Sequence, residues 1–178
     1  MFNFNFFIEC FVESIKGIPT TLIIAAVSIF VSIFLGYGLA ISRIKRIPAL
    51  SQFAALYVSF VRGTPIIAQL FLIYFALPMG LMSFLKSLGI SVNLYNMNPI
   101  IFAFVVFSLN ATSLMTEILR SALGSVDKGQ REAAISIGMG SFHTYTRIII
   151  PQALITALPS LCNLTTNILK NTSLAMQV

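Results

Sequence analysis

The sequence predicts an all-α membrane protein, a polytopic transmembrane helical bundle. Three observations carry this. The 178 residues are 57% hydrophobic and only 9% charged, against roughly 25% charged in a soluble domain. The apolar residues gather into runs of about 20, the length a helix needs to cross a hydrocarbon core, and backbone groups in lipid must pair internally, which favours helices. The cations are distributed unevenly between the runs. Arg43, Lys45 and Arg46 follow the first run, and Lys128, Arg131 and Arg147 follow the third, while Lys16 and Lys86 are isolated on the other side. That is a positive-inside pattern. The net charge of +6 is therefore split by spans and does not form a nucleic-acid face.

Each element can be justified in turn. Residues 1–16 lack a basic n-region and hold two acids, which makes a poor signal peptide; an interfacial amphipathic helix fits better. Span one is expected from about Ile18 to Ile41, with Gly36 and Gly38 allowing a neighbouring helix to approach. Residues 50–61 read as an interfacial or partly inserted helix. V-R-G-T-P at 61–65 breaks it near the cytoplasmic surface, with Arg62 at headgroup depth. Span two then runs from Pro65 to about Phe84, and residues 85–98 form an external loop. Span three is expected from Pro99 to about Leu119, residues 121–147 form a second cytoplasmic segment, and the fourth run starts near Ile148. The N-terminus is then outside.

Two polar stripes interrupt the apolar spans. On span three, Asn110, Ser113, Glu117 and Arg120 fall within about 80° of helix circumference. Asn110 is a candidate for the substrate path, although interhelical hydrogen bonding explains it almost as well; Glu117 and Arg120 can pair with each other. On span four, Ser160, Asn163, Asn167, Lys170 and Asn171 share a face. Asn163, Asn167 and Lys170 offer donors, acceptors and one positive charge that could receive a zwitterionic solute, or could serve a gate or a subunit interface.

The segment G-Q-R-E-A-A-I-S-I-G-M-G at 129–140 is a half-polar insert in an apolar chain. Glu132, Ala133 and Ala134 are followed by three residues and Gly138, then by nine residues and I-I-I-P at 148–151. A short helix over 132–137 would present Ala133 and Ala134 as a smooth contact surface. Gly138 and Gly140 would let the chain turn, and Pro151 suits the start of the next span.

This spacing resembles the EAA-x3-G-x9-I-x-L-P pattern of the permease subunits of ATP-binding-cassette importers, with Ile150 in place of the leucine. V-R-G-T-P-I-I-A-Q-L-F-L-I-Y-F at 61–75, T-E-I-L-R-S-A-L-G-S-V-D-K-G-Q-R-E-A-A at 116–134 and L-K-N-T-S-L at 169–174 are similar to the polar-amino-acid subfamily. The resemblance covers nearly all of residues 17–174. It implies a type I ABC importer permease in a bacterial cytoplasmic membrane, its loop docked on a cytoplasmic ATPase through Gly129, Gln130, Glu132, Ala133, Ala134 and Gly138. It also implies a second permease subunit, an extracytoplasmic solute-binding protein and a surrounding of membrane lipid. Family members usually have five spans, so an ending at Val178 implies a missing fifth.

Catalysis finds little support. No nucleotide motif occurs, and R-G-T-P lacks the layout of a phosphate loop; no cofactor is expected on this chain, and ATP is expected to be hydrolysed on another. His143 has no partner at metal spacing and reads as a solvated loop residue. Cys10 and Cys162 read as apolar fillers. An ion-gradient-driven carrier or channel remains the alternative. It would use the same polar stripes without needing a docking loop.

Overall fold

The computed structural model describes residues 4–90, 93–94 and 97–173, which are helical wherever they are regular. Helix α1 is Phe4–Lys16 and α2 is Ile18–Ile44; α3 is Leu50–Gly63. Helices α4 (Ile66–Phe71) and α5 (Leu77–Ser87) are joined by a widened π turn at Leu72–Ala76. Helix α6 is Pro99–Ser125, α7 is Lys128–Ser136, and α8 (Ser141–Thr144) leads through a second π turn at Tyr145–Ile149 into α9, Ile150–Asn171. Four of these helical stretches, Phe6–Ile44, Ile66–Ser87, Pro99–Ser125 and Ser141–Asn171, are long and apolar enough to cross a membrane. Parts of the expected loop at 85–98 and of the motif at 169–174 lie outside the described residues, as does the end of the chain at Val178.

Helix α6 is the hub, packed against α2, α9 and α3. Its start is set by Asn98, whose side chain accepts from the Ile100 N–H at 3.0 Å, with Pro99 at the first helical position. Helix α2 meets it through a stripe of small residues four apart: Ser28, Ser32, Gly36 and Ala40 are all buried. At Gly36 a Cβ would lie 2.8 and 2.9 Å from Met115 side-chain carbons and 3.2 Å from the Thr116 backbone nitrogen. Gly38 faces open space, so only one of the two glycines expected at this contact serves it. The hydroxyls of Ser32, Thr112 and Thr116 bond back to carbonyls of their own helices, which lets polar residues sit in the contact without orphaned groups. Ser28 alone keeps an unpaired buried hydroxyl among the described residues.

Three boundaries differ from expectation, each for a local reason. Helix α6 continues to Ser125 because nothing after Leu119 interrupts it until Val126 leaves helical geometry. The fourth span is preceded by helix from Ser141 onward, so within 121–147 only 126–127 and 137–140 are outside helices. Pro151 therefore does not open the helix. The π turn ahead of it ends with the Ile150 N–H bonded to the Tyr145 carbonyl, five residues back, and the widened turn accommodates a ring that lacks a donor. Pro78 is preceded in the same way, by the Leu77 N–H bonded to the Leu72 carbonyl.

The third difference is the helix expected over 132–137, which runs from Lys128 to Ser136 because Asp127 caps it four residues earlier. Helix α3 packs along both α2 and α6; the Tyr57 hydroxyl donates to the Leu109 carbonyl at 2.5 Å. The break at Thr64 and Pro65 thus stands beside α6, and Arg62, itself exposed, lines a cleft of about 390 Å³ with Arg43 and Glu117.

Candidate functional site

The break is held by one side chain. Gln69, one turn into α4, donates from Nε2 to the Val61 carbonyl at 2.8 Å, the Thr64 carbonyl at 3.1 Å and Thr64 Oγ1 at 2.7 Å. Pro65 adopts extended geometry before α4, which frees these carbonyls from the helical ladder, and a primary amide can satisfy them. On its other side Gln69 Oε1 accepts from Asn110 Nδ2 at 3.4 Å. Asn110 is therefore joined to the broken second span. Sequence reasoning misses Gln69; its signal is a lone amide inside an apolar run, four residues after Pro65.

The rest of the span-three stripe is consumed within the bundle. Ser113 donates to the Asn110 carbonyl at 2.8 Å. Arg120 binds Glu117 through Nε at 3.0 Å and a terminal nitrogen at 2.7 Å, the pairing that their spacing suggests. The second partner of Glu117, Arg43 of α2, reads from sequence only as a member of the basic cluster.

The span-four stripe has the opposite character. Helix α9 packs on α6 through Ala153, Ala157, Leu164 and Ile168. Asn163, Asn167 and Lys170 are exposed, roughly 100° round the helix from that buried face. Among the described residues, none of the three makes a side-chain hydrogen bond or ion pair within this chain, and no bond connects them to Asn110. The face points away from the protomer.

Between the third and fourth spans the segment around 129–140 is built as a capped helix. Asp127 accepts from the Gly129 N–H at 2.6 Å, an N-cap geometry, and a Cβ on Gly129 would lie 2.8 Å from that carboxylate oxygen. Gln130 is at the limit of hydrogen bonding from Gln152 of α9, at 3.5 Å. Glu132 and Ala133 are exposed, but Ala134 is buried against the protein's own body, so the expected alanine pair is divided between two surfaces. Gly138 holds φ at +82°, a left-handed conformation glycine adopts without penalty. Gly140 has φ −65° and ψ 152° with open space around it and needs no glycine on backbone grounds. Beside Glu132, Ile137 is 78% and Phe142 75% exposed, values that mark an apolar patch in a segment otherwise polar. His143 stacks edge-on to Phe142, with ring centroids 5.8 Å apart. Among the described residues no group of three potential metal ligands occurs.

A bundle of apolar helices, one of them broken, with a capped surface helix between two spans, defines a polytopic helical membrane protein. Residues 28–178 match the family described as the binding-protein-dependent transport system inner membrane component, and the chain belongs to that family. It is 40% identical over 161 residues to the L-cystine transport system permease protein TcyL of Bacillus subtilis, which covers 90% of this chain and 65% of the relative. It is 38% identical over its whole length to the probable amino-acid ABC transporter permease protein YckA of the same organism, covering 73% of that protein. Among solved structures, the crystal structure of an amino acid ABC transporter with histidines superposes with a TM-score of 0.78 at 26% identity, covering 99% of this chain and 76% of that one. The chain thus spans between about two thirds and three quarters of these proteins.

Proposed function

We propose that this chain is the permease subunit of an ATP-driven ABC importer for polar amino acids. The observation that carries the reading is the surface of α7 and its exit: a capped helix presenting Glu132 beside exposed Ile137 and Phe142, with Gly138 in left-handed geometry between them. Unpartnered apolar groups next to a charge suit burial against a second protein. The coupling residues Gly129, Gln130, Glu132, Ala133, Ala134 and Gly138 then divide their labour. Glu132 and Ala133 meet a cytoplasmic ATPase, while Asp127, Gly129, Gln130, Ala134 and Gly138 fix the helix to the spans that must move. ATP is hydrolysed on that partner, and this chain binds no cofactor itself.

The exposed face of α9 supplies the path. Asn163, Asn167 and Lys170 have no partners among the described residues, as expected for groups lining a passage shared with a second permease subunit. An extracytoplasmic solute-binding protein delivers the solute, with the N-terminus on the same outer side of a bacterial inner membrane. The relatives named for cystine and amino-acid transport support this class of cargo. The test is uptake of labelled amino acids into vesicles holding the complete transporter. Glu132→Lys should abolish co-purification of the ATPase, and Lys170→Met should impair uptake while leaving assembly intact. Normal assembly and coupled ATP hydrolysis in the first variant would overturn the docking role; normal uptake kinetics in the second would remove Lys170 from the path.

A further inference from the structure

We infer that the cleft between the inner end of α2 and the coupling helix is a binding site for an anionic phospholipid. The cleft has a volume of about 440 Å³. Its walls are apolar, from Ile41 and Ile44 of α2, Leu123 of α6 and Ile149 at the foot of α9. Its rim carries Lys45, Lys128 and Arg131, from three different positions in the chain. None of these cations has an ion-pair or side-chain hydrogen-bond partner among the described residues. The one acid lining the cleft, Asp127, is engaged in capping Gly129. The charge balance favours an anion, and the walls favour a chain.

The surface that leads away from the cleft fits the same ligand. Phe30, Phe34, Tyr37, Ile41 and Ile44 recur at steps of four, three, four and three residues, which places them on one face of α2. Phe30, Phe34 and Tyr37 are more than half exposed, and the two phenyl rings meet edge to face at 5.0 Å. An acyl chain can lie along this face while the phosphate sits among the three cations, the arrangement by which basic pockets hold lipid headgroups. A soluble phosphate would use the rim and leave the track empty. Because Lys128 and Arg131 belong to α7 and Lys45 follows α2, the lipid would tie the coupling helix to the first span. The site rests on the orientation given under Proposed function only for the leaflet it faces, and not on the cargo.

The test uses the assembled transporter in nanodiscs of phosphatidylcholine containing spin-labelled phosphatidylglycerol or spin-labelled phosphatidylcholine. The wild type should prefer the anionic lipid. The preference should fall roughly fivefold for each cation removed in Lys45→Gln and Lys128→Gln, and Lys45→Arg should restore it. In the wild type alone, rising salt should weaken the preference while millimolar inorganic phosphate leaves it unchanged. Equal association of the two lipids, a preference unaltered in the double variant, or full competition by inorganic phosphate would overturn the proposal. So would a preference that appears only once the ATPase has been stripped from the transporter, which would assign the cations to a protein.

Discussion

Glu117 of α6 receives Arg43 of α2 on one carboxylate oxygen and Arg120 of its own helix on the other. The carboxylate is a bridge between the two most extensively packed helices of the bundle, with side-chain exposures of only 19% for Glu117 and 21% for Arg43. Removing the acid leaves two guanidinium groups facing each other without compensation. Full burial makes such a loss cost about 3–5 kcal/mol, and exposed pairs count for less than about 1. This partly buried bridge falls between, so Glu117→Gln should cost about 2 kcal/mol. Denaturation of the purified chain in mixed micelles would measure it. Arg43→Gln should cost less, because Arg120 still satisfies the carboxylate.

The second prediction concerns the broken span. Gln69 is the common partner of Val61, Thr64 and Asn110. Gln69→Leu keeps the shape but strips the freed carbonyls of their donor, at about 1–3 kcal/mol. The loss should be confined to the α3–α4 junction. Hydrogen exchange there should accelerate while the α2–α6 contact stays protected. Asn110→Ala removes only one weak bond at 3.4 Å and should leave that exchange nearly unchanged; if it also impairs uptake, Asn110 acts on the solute rather than on the fold.

Much of this bundle is legible from sequence because hydropathy and charge distribution act over whole helices. Span positions, the presence of a short helix before Pro151 and the pairing of Glu117 with Arg120 depend on local spacing alone, whereas the Asp127 cap that starts that helix at Lys128 does not show in the E-A-A spacing. What escapes is tertiary. Gln69 closes the R-G-T-P break through contacts that its place in an apolar run does not reveal, and Arg43 reaches Glu117 across 74 residues of chain. Ala133 and Ala134 look equivalent in sequence, yet one faces outward and the other inward. Helical spacing puts Asn163, Asn167 and Lys170 on one face, but only the structure separates that face from the packing surface of α9.

The glycines of α2 give a third prediction, by contrast. Gly36→Ala drives a Cβ against Met115 Cβ and the Thr116 backbone, neither of which can swing away. Overpacking of this kind costs about 1–3 kcal/mol. Gly38→Ala meets nothing within 4 Å and gains helix propensity, which at a surface position is worth up to about 1 kcal/mol. The two variants, two residues apart, should therefore shift the micelle unfolding midpoint in opposite directions. Equal effects would mean that the α2–α6 contact is looser than the distances at Gly36 require.

The last prediction separates the turn from the exposed side chains on either side of it. Gly138 and Gly140 are both exposed, and a Cβ added to either would meet nothing within 4 Å, so packing does not distinguish them. Backbone geometry does: Gly138 has φ +82° and Gly140 φ −65°. Alanine at 138 must either accept left-handed geometry, at about 1–2 kcal/mol, or re-aim Ile137 and Phe142 relative to Glu132. Alanine at 140 can do neither harm. In the assembled transporter, Gly138→Ala should therefore weaken ATPase retention or uncouple hydrolysis from uptake, whereas Gly140→Ala should leave both unchanged. An unchanged helical content in the two variants, read by circular dichroism, would assign the difference to the path of the chain between Ile137 and Phe142.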